Sequence, residues 1–550
     1  MRGRTPGSWP AILVLVGLLA GACGDGDEPG SSAATSADPA DASATELPVD
    51  DDPGTALGDA SSAERAGDDV AADPATGVPD PLAIDAAPFL PTACPFDVEV
   101  DLEVECGVVE APESRTGLSD DTVELAVAIM RTPAADPEPD PVVYLAGGPG
   151  GVALAEHMMW LSGADDVETH PILAERDMIL VDQRGTGYSR PSLWCDEEIE
   201  DVEDCHERLV DEGVTLEAYS TIENAADIAT VRLALGLDEW NLYGSSYGTR
   251  LALTVLRDHP DGVRSVVLEG VYPPDVVPAY HDYLPNTLRA LDEIAAACAD
   301  DPECAGSYGD IGDLVVRALE AADSAPDAPV DSIDLMDLTF GSLYGMEGVQ
   351  DVPYALALAA AGDLDGAIDV FERGAPLDRS AGGTRTRPDV DPTEDAAGVF
   401  NSVECREEHA FTDLDHIDKQ AELYREAGVD DRLLTALVDT VEYPVLAVCP
   451  VWDSGVAGLV ERAPAVSHTP VLLLSGRFDP ITPPAWGEHA AASLANSTHV
   501  VAPTLSHSLV LEDPCIDEIT HTFLSEPDTP VDPGCVATMP MPPFTIDDAP

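Results

Sequence analysis

A strand, a sharp corner and a helix follow one another around residue 246, and this order constrains the fold more than any other feature of the chain. Residues 241–253 read NLYGSSYGTRLAL. The residues leading into this stretch are predicted to form a short buried strand, and apolar residues recur at helical spacing from Tyr247 to Leu256. A Gly-x-Ser-x-Gly pentapeptide alone is a weak signal in a chain with 44 glycines, so the flanking strand and helix carry the prediction.

The spacing of the glycines indicates which of two adjacent serines lies at the corner. Gly244 and Gly248 lie two residues on either side of Ser246, whereas Ser245 is off centre. Small flanking residues are needed because the corner residue is strained and the strand and helix backbones pass closely. We therefore predict that Ser246 is a nucleophile. A serine hydroxyl is weak at its own pKa, so this prediction requires a base elsewhere in the chain.

The charge of the chain excludes nucleic acid as a partner. The 550 residues include 105 acidic and 25 basic ones, a formal net charge of −80, and Lys419 is the only lysine. Such a surface repels nucleic acid, and no basic patch opposes this. The composition is otherwise globular, with 45% hydrophobic residues, and predicts one large decorated domain or two.

Residues 1–23 are predicted to be an export signal. Two arginines precede an apolar stretch over residues 11–20, which is too short for a transmembrane helix. The segment ends in LAGAC. Small residues running into Cys23 resemble a bacterial lipobox, and the resemblance implies cleavage before Cys23 and lipid attachment to its thiol. An ordinary signal peptide is the alternative. We expect the protein to lie on the outer face of the bacterial cell membrane, held there only by this lipid, or to be secreted.

Residues 24–85 are predicted to form a disordered acidic tether. Residues 24–80 contain 15 acidic residues, one basic residue and no aromatic residue. Such a segment cannot bury enough apolar surface to fold, and its charges repel one another.

The cysteine count is consistent with export. Eleven cysteines are present, and ten remain without Cys23. An even number of cysteines in an exported chain favours disulfides. The sequence contains no Cys-x-x-Cys pair, so a structural zinc site is not expected. Short spacings suggest the pairs Cys94–Cys106, Cys195–Cys205, Cys298–Cys304 and Cys515–Cys535, which leaves Cys405–Cys449.

The alternation of strands and helices predicts an α/β fold. A mostly parallel sheet covered by helices on both faces binds ligands beyond the carboxyl ends of its strands, where Ser246 lies. Residues 276–440 are mainly helical, and we interpret them as a lid inserted between two parts of the sheet domain, 86–275 and 441–550. The predicted strands are 123–130, 142–145, 178–181, 263–268, 471–474 and 497–501, and the predicted helices include 225–237, 284–299, 312–322 and 354–372.

A base and an acid are predicted after the last two strands. His507 follows the predicted strand 497–501, whereas the neighbouring histidines fall within a strand or a helix or before a strand. Asp479 follows the predicted strand 471–474 in a proline-stiffened loop, where a carboxylate can orient the imidazole and stabilise the imidazolium. Glu269, at the end of the strand after Ser246, is the alternative acid.

Two backbone amides are predicted to form an oxyanion hole. One belongs to Tyr247, directly after the nucleophile. The second belongs to Gly148, with Gly147 as the alternative, in the glycine-rich loop of residues 142–151, VVYLAGGPGG. A phosphate-binding loop is excluded because the Gly-Lys-Ser/Thr ending is absent.

Several motifs together resemble one family, the secreted tripeptidyl aminopeptidase and prolyl aminopeptidase branch of the α/β-hydrolases. The resemblance runs from about residue 90 to 540, with the residues from about 440 onward similar to that branch's C-terminal segment. The motifs are GGPG at 147–150, DQRGTGYS at 182–189, GSSYGT at 244–249, VRSVVLEGVYPP at 263–274 and the loop around Asp479.

The resemblance implies a serine exopeptidase that releases tripeptides or single residues from the free amino end of a peptide. Ser246, Asp479 and His507 match the family's triad, and no metal or cofactor is needed. The lid would close the cleft and recognise the substrate ammonium group through carboxylates. Glu407, in the sequence VECREE, is the candidate contact, with a solvated carboxylate as the alternative. The first glycine loop departs from prolyl aminopeptidases, because Ala146 stands where they usually carry histidine.

Three other functions remain open from the sequence. An esterase or lipase would use the same triad on esters. An epoxide hydrolase or dehalogenase is disfavoured, because those enzymes carry Asp at the corner position. A non-catalytic surface-binding lipoprotein is also disfavoured, since a binding module does not require all three triad groups.

Overall fold

We analysed a computed structural model of the chain. It describes residues 84, 87–96, 102–155, 170–196, 201–324, 328–374 and 391–546. The predicted signal segment, the predicted lipidation site Cys23 and nearly all of the predicted acidic tether lie outside the described residues.

The architecture is built on one sheet of nine strands in the order β1-β2-β3-β5-β4-β6-β7-β8-β9. The pairs β1–β2, β2–β3 and β3–β5 are antiparallel, and every pair from β5–β4 to β8–β9 is parallel. This confirms the predicted α/β class with a mostly parallel sheet. The strands are β1 Phe89–Thr92, β2 Val104–Pro112, β3 Thr122–Met130, β4 Val142–Leu145, β5 Met178–Val181, β6 Trp240–Ser245, β7 Val263–Glu269, β8 Val471–Gly476 and β9 Ser497–Ala502.

The central strands form because their apolar runs are buried on both sheet faces. All four residues of β4 and all four of β5 are buried, as are all six of β8. Side chains alternate between the two faces along β4: Val142 and Tyr144 pack into one hydrophobic core, and Val143 and Leu145 pack into the other. Continuous apolar strands of this kind are typical of parallel sheets covered on both sides.

Helices cover the sheet, and most of those of the inserted segment share the core that contains Val142 and Tyr144. The helix that carries Val399 and Val403 packs into the other core instead. The helices are α1 Val202–Asp211, α2 Thr221–Ala234, α3 Tyr247–Asp258, α4 Tyr283–Asp300, α5 Pro302–Tyr308, α6 Ile311–Ser324, α7 Ser332–Ser342, α8 Met346–Ala360, α9 Leu364–Gly374, α10 Ala397–Glu407, α11 Leu414–Glu426, α12 Asp431–Tyr443, α13 Pro484–Ala491 and α14 Pro514–Ser525.

The prediction of one continuous lid helix over 354–372 was wrong, because two helices, α8 and α9, cover this stretch. The chain turns at Gly362, whose φ of +87° is in the left-handed region that glycine adopts without strain. Asp363 then accepts a hydrogen bond from the Gly366 amide at 3.1 Å and starts the second helix. The apolar period continues through the turn, which is why the sequence suggests one helix.

The five suggested disulfides are all present in the structure. Their Cα–Cα separations lie between 5.1 and 5.9 Å. The pair Cys405–Cys449 joins the end of α10 to the segment after α12 and closes the longest loop, with a sequence separation of 44. This covalent link anchors α10, the helix that matters most for the site described below.

Two kinds of feature are absent from the described residues. None of the helices there has the length and apolarity needed to cross a membrane. Within the same residues, no group of three or more His, Cys, Asp or Glu side chains has the arrangement of a metal site.

Loop length predicts how much each disulfide contributes to stability. We expect Cys405→Ala/Cys449→Ala to lower the free energy of unfolding by about 4 kcal/mol, because its loop restricts the unfolded chain most. The control, Cys298→Ala/Cys304→Ala, opens a loop with a sequence separation of 6 and is expected to cost about 2 kcal/mol. Urea unfolding of both variants measures the difference, and an equal or reversed order would contradict the prediction.

Candidate active site

Ser246 occupies a strained corner between β6 and α3. Its φ of 55° and ψ of −123° are rare for a residue with a side chain. A Cβ at Gly248 would lie 1.9 Å from the Leu145 carbonyl oxygen, and a Cβ at Gly244 would lie 2.3 Å from the Gly248 carbonyl oxygen. Both glycines are therefore required by the close passage of strand, corner and helix, as the sequence predicts.

His507 and Asp479 form a buried hydrogen-bonded pair. The distance between His507 Nδ1 and Asp479 Oδ2 is 2.8 Å, and the two side chains are 1% and 0% exposed. Asp479 is further fixed by the backbone amides of Ile481 and Thr482, each donating to Oδ1 at 2.9 Å. Among the described residues, His507 Nε2 has no hydrogen-bond partner, so no hydrogen bond joins it to Ser246 Oγ in this structure.

The pKa values of this pair move in opposite directions. Burial by itself lowers the pKa of His507, but the charge and hydrogen bond of Asp479, with a smaller contribution from Glu269, hold it above its ordinary value. Burial raises the pKa of Asp479, but His507 and the hydrogen bonds from Thr482 hold it below its ordinary value. Asp479 is therefore ionised at neutral pH and stabilises a proton on the imidazole.

Two residues that the sequence analysis did not single out also hold His507. Thr482 Oγ1 lies 3.0 Å from His507 Nδ1 and donates to Asp479 Oδ2 at 2.6 Å. The ring of Tyr344, in the inserted segment, packs edge-on against the imidazole at 4.9 Å, and its carbonyl accepts from the His507 amide at 3.0 Å. The spacing Asp-x-x-Thr was the available signal for Thr482, whereas the Tyr344 contact is made only by the fold.

Glu269, the alternative acid, binds the histidine loop instead of the imidazole. Its Oε1 accepts from the amides of Leu509 and Val510, the latter at 2.9 Å, and Tyr243 donates its hydroxyl to Oε2. The Glu269 carbonyl also accepts from the Ser246 amide at 2.8 Å. Glu269 thus links the nucleophile corner to the loop that carries His507.

The glycine loop after β4 packs directly on Ser246. A Cβ at Gly147 would lie 2.9 Å from the Ser246 Cβ, and Gly148 has a φ of +106° and lines the same cavity as Ser246. Gln183 donates to the Ala146 carbonyl at 2.9 Å and holds the start of this loop. The glycine loop that carries Gly148 therefore lies beside Ser246, and Tyr247 follows Ser246 directly in the chain.

An aromatic cavity opens beside Ser246. The lid and the segment after β7 supply most of its walls, and Glu404 is the acidic residue that lines it. Its lining comprises Gly148, Ser246, Tyr272, Ala279, Tyr280, Tyr283, Asn286, Tyr344, Phe400, Glu404, Pro480, Ile481, Thr482 and Trp486. A cavity with several aromatic walls, one serine and one carboxylate is suited to an organic group that carries a positive charge.

Three glutamates of the inserted segment lie near one buried guanidinium beside this cavity, and two of them pair with it. Arg250, on α3, lies 3.4 Å from Glu407 Oε2 through Nε and 2.6 Å from Glu408 Oε1 through Nη1. Glu404 receives a hydrogen bond from the Tyr280 hydroxyl, but its Oε2 has no partner among the residues described. One cation therefore faces three carboxylates.

This charge imbalance changes the pKa of Glu404. Burial and the nearby Glu408 charge raise it to about 8, although Arg250 and the Tyr280 hydroxyl oppose the rise. Ammonium binding next to Glu404 would supply the missing positive charge and favour the ionised carboxylate.

Glu407 faces away from the cavity, which differs from its predicted role as the ammonium contact. Its two oxygens accept from the Thr221 amide and the Thr221 hydroxyl, both at 2.8 Å, and it is 1% exposed. Glu404, one helical turn earlier, faces the cavity instead. The spacing of residues 404, 407 and 408 is typical of one helix face, but spacing alone does not indicate which glutamate Arg250 leaves free.

The chain is similar to known proteins over much of its folded part. The model of the α/β-hydrolase fold family matches residues 140–514. Serine protease Hip1 of Mycobacterium tuberculosis is 27% identical over 205 residues, which cover 32% of this chain and 39% of that protein. Proline iminopeptidase of Neisseria meningitidis serogroup B is 29% identical over 137 residues, which cover 25% of this chain and 34% of that protein.

A solved structure is similar in outline. The crystal structure of proline iminopeptidase from Mycobacterium smegmatis aligns with 74% of this chain and 96% of its own, at 16% identity and a TM-score of 0.38. The chain spans less than two fifths of the length of the curated relatives named above, about 39% and 34%. The family match covers most of the folded chain, and its nucleophile corner is present at Ser246. The chain therefore belongs to the α/β-hydrolase fold family.

Proposed function

We propose that the protein is an exported serine hydrolase, an exopeptidase that releases tripeptides or single residues from the free amino end of peptides. The observation that carries the proposal is the free carboxylate oxygen of Glu404 in the cavity of Ser246. A peptide's terminal ammonium group is a cation at a fixed distance from the bond to be cut. A buried carboxylate that lacks a partner is stabilised by such a cation and orients it.

The proposed reaction is acyl transfer through a serine ester. His507 Nε2 takes the Ser246 proton while Ser246 Oγ attacks the scissile carbonyl carbon. The amides of Tyr247 and Gly148 bind the oxyanion, and His507 returns its proton to the departing amine. Water, deprotonated by His507, then attacks the ester carbonyl and releases the acyl group, which regenerates Ser246. Asp479 keeps the imidazole oriented and stabilises the imidazolium in both halves.

The surroundings of Glu404 support recognition of an amino-terminal residue. Tyr280, Phe400 and Trp486 are among the aromatic walls of the cavity, and they exclude water from a bound side chain. In such surroundings an ion pair is stronger than in water, because the local dielectric is low. The relatives named serine protease and proline iminopeptidase support a peptide substrate.

The proposed location is the outer face of a bacterial membrane, with the lipid on Cys23 as the attachment. Five disulfides support an oxidising compartment. The acidic residues 24–85 would then hold the enzyme away from the membrane surface.

A substrate panel tests the proposed function. We expect the wild-type protein to cleave a free-amino tripeptidyl or prolyl arylamide and to cleave its N-acetylated form at least about 100-fold more slowly, because the ion pair to Glu404 is lost. Ser246→Ala should lower kcat by about 10⁴-fold or more and abolish labelling by a fluorophosphonate. Labelling that persists at another serine would refute the role of Ser246, and turnover of short-chain esters alone would make the protein an esterase.

The pH profile should depend on whether the substrate has an amino group. The Glu404 carboxyl, with a pKa of about 8, is protonated below that pH, and a peptide amine has a pKa of about 8. Binding of the ion pair is therefore most favourable near pH 8, and kcat/KM for a free-amino arylamide should peak there. For an ester without an amine, kcat/KM should rise as His507 loses its proton, at a pKa that Asp479 holds above its ordinary value, and should then reach a plateau instead of a peak. Identical profiles for both substrates would contradict this assignment.

Removal of the Glu404 charge should affect the two substrates differently. We expect Glu404→Gln to raise KM for the free-amino arylamide by about 10- to 100-fold, because a neutral amide does not pair with ammonium. The KM for the ester should rise far less, since ester binding involves no ammonium group. Steady-state kinetics on both substrates measures the difference, and an equal loss on both would remove Glu404 from ammonium recognition.

A further inference from the structure

The helix α10 contacts the glycine loop at its amino end. The Ala396 amide, just before α10, donates to the Gly150 carbonyl at 3.0 Å. A Cβ at Gly150 would lie only 2.8 Å from the Ala396 carbonyl oxygen, and Gly150 has a φ of +110°. The inserted segment therefore makes backbone contact with the loop that carries Gly148.

The carboxyl end of α10 contacts the other side of the predicted oxyanion hole. Glu407 binds the Thr221 amide and hydroxyl, and the Thr221 hydroxyl lies 2.9 Å from the Tyr247 hydroxyl. Glu408 pairs with Arg250 at 2.6 Å. Tyr247 and Arg250 both belong to the first turn of α3, directly after Ser246.

The residues that make these polar contacts are all buried. Glu407, Tyr247 and Arg250 are each 1% exposed, and Thr221 is 3% exposed. Buried hydrogen bonds and ion pairs hold their geometry closely, because a displaced group would leave a buried charge or donor without a partner. Small shifts of α10 would therefore be transmitted to both oxyanion amides.

We propose that α10 is the structural support of the oxyanion hole and that Glu407 is a positioning residue within it. Glu407 acts through Thr221 on the Tyr247 side chain, and so on the orientation of the amide after Ser246. The other end of α10 fixes the Gly148 loop through Ala396 and Gly150. The inference rests on the proposed acyl-transfer mechanism, but it does not depend on recognition of an ammonium group.

The proposal separates the roles of two neighbouring glutamates. Glu404 lines the cavity and contributes to substrate binding, so its loss raises KM for substrates that carry an amine. Glu407 faces away from the cavity and contributes to transition-state stabilisation, so its loss lowers kcat for every acyl substrate. Misplacement of a catalytic group by about 1 Å costs on the order of 100-fold in rate.

The test uses the full chain and a short-chain p-nitrophenyl ester, which has no ammonium group. We expect Glu407→Ala to lower kcat by about 10- to 100-fold with KM changed less than about threefold, and Glu407→Gln to recover most of kcat because it keeps the acceptor to Thr221. Glu422→Ala, at an exposed glutamate of α11, is the matched control and should match the wild type. Fluorophosphonate titration gives the number of competent sites, so that kcat is expressed per folded enzyme.

A second variant keeps the test decisive if Glu407→Ala does not fold. Thr221→Val preserves shape but removes the hydroxyl between Glu407 and Tyr247, and kcat per titrated site should again fall by about tenfold. Wild-type kcat in Thr221→Val, or a change in KM alone in Glu407→Ala, would overturn the proposal. Absence of ester turnover and of fluorophosphonate labelling in the wild type would refute the acyl-transfer function itself, and the positioning role with it.

Discussion

The site depends on one buried cation, Arg250, and on which of the neighbouring carboxylates pair with it. A guanidinium removed from water must be paired, and the inserted segment supplies three carboxylates within one helical turn. Two of them, Glu407 and Glu408, approach Arg250 and fasten α10 to the first turn of α3. The third, Glu404, remains without a full partner and faces the cavity. The same charge arrangement therefore holds the inserted segment in place and leaves one carboxylate for the substrate.

The inserted segment is consequently part of the framework around the proposed catalytic residues. It contacts the glycine loop through Ala396, α3 through the pair of Glu407 with Arg250, and the imidazole through Tyr344. The Cys405–Cys449 disulfide fixes the end of α10 covalently. Electrostatic stabilisation of an oxyanion requires donors that do not reorganise during the reaction, and these contacts provide that rigidity.

The sequence predicted the features that local chemistry determines. Gly244 and Gly248 identified the corner because the backbone clash they avoid is local, and the buried runs of β4 and β5 have the predicted bounds. The order of strands placed Asp479 and His507 at loops that the fold brings together. Features that depend on packing between distant parts of the chain were not predicted. Tyr344 lies 163 residues before His507, and Arg250, whose pairing leaves Glu404 without an ion-pair partner, lies 154 residues before Glu404.

The central claim is that the cavity binds a peptide's amino terminus at Glu404 while Ser246 attacks. A pair of inhibitors tests it most directly, because only one of the two can engage both residues at the same time. A peptide boronic acid forms a tetrahedral adduct with Ser246, and a free amino group on the same molecule reaches the carboxylate of Glu404. The account predicts that the free-amino boronic acid inhibits at least about 100-fold more strongly at pH 8 than its N-acetylated form. Equal inhibition by the two would show that the cavity does not recognise an amino terminus, and would contradict the account.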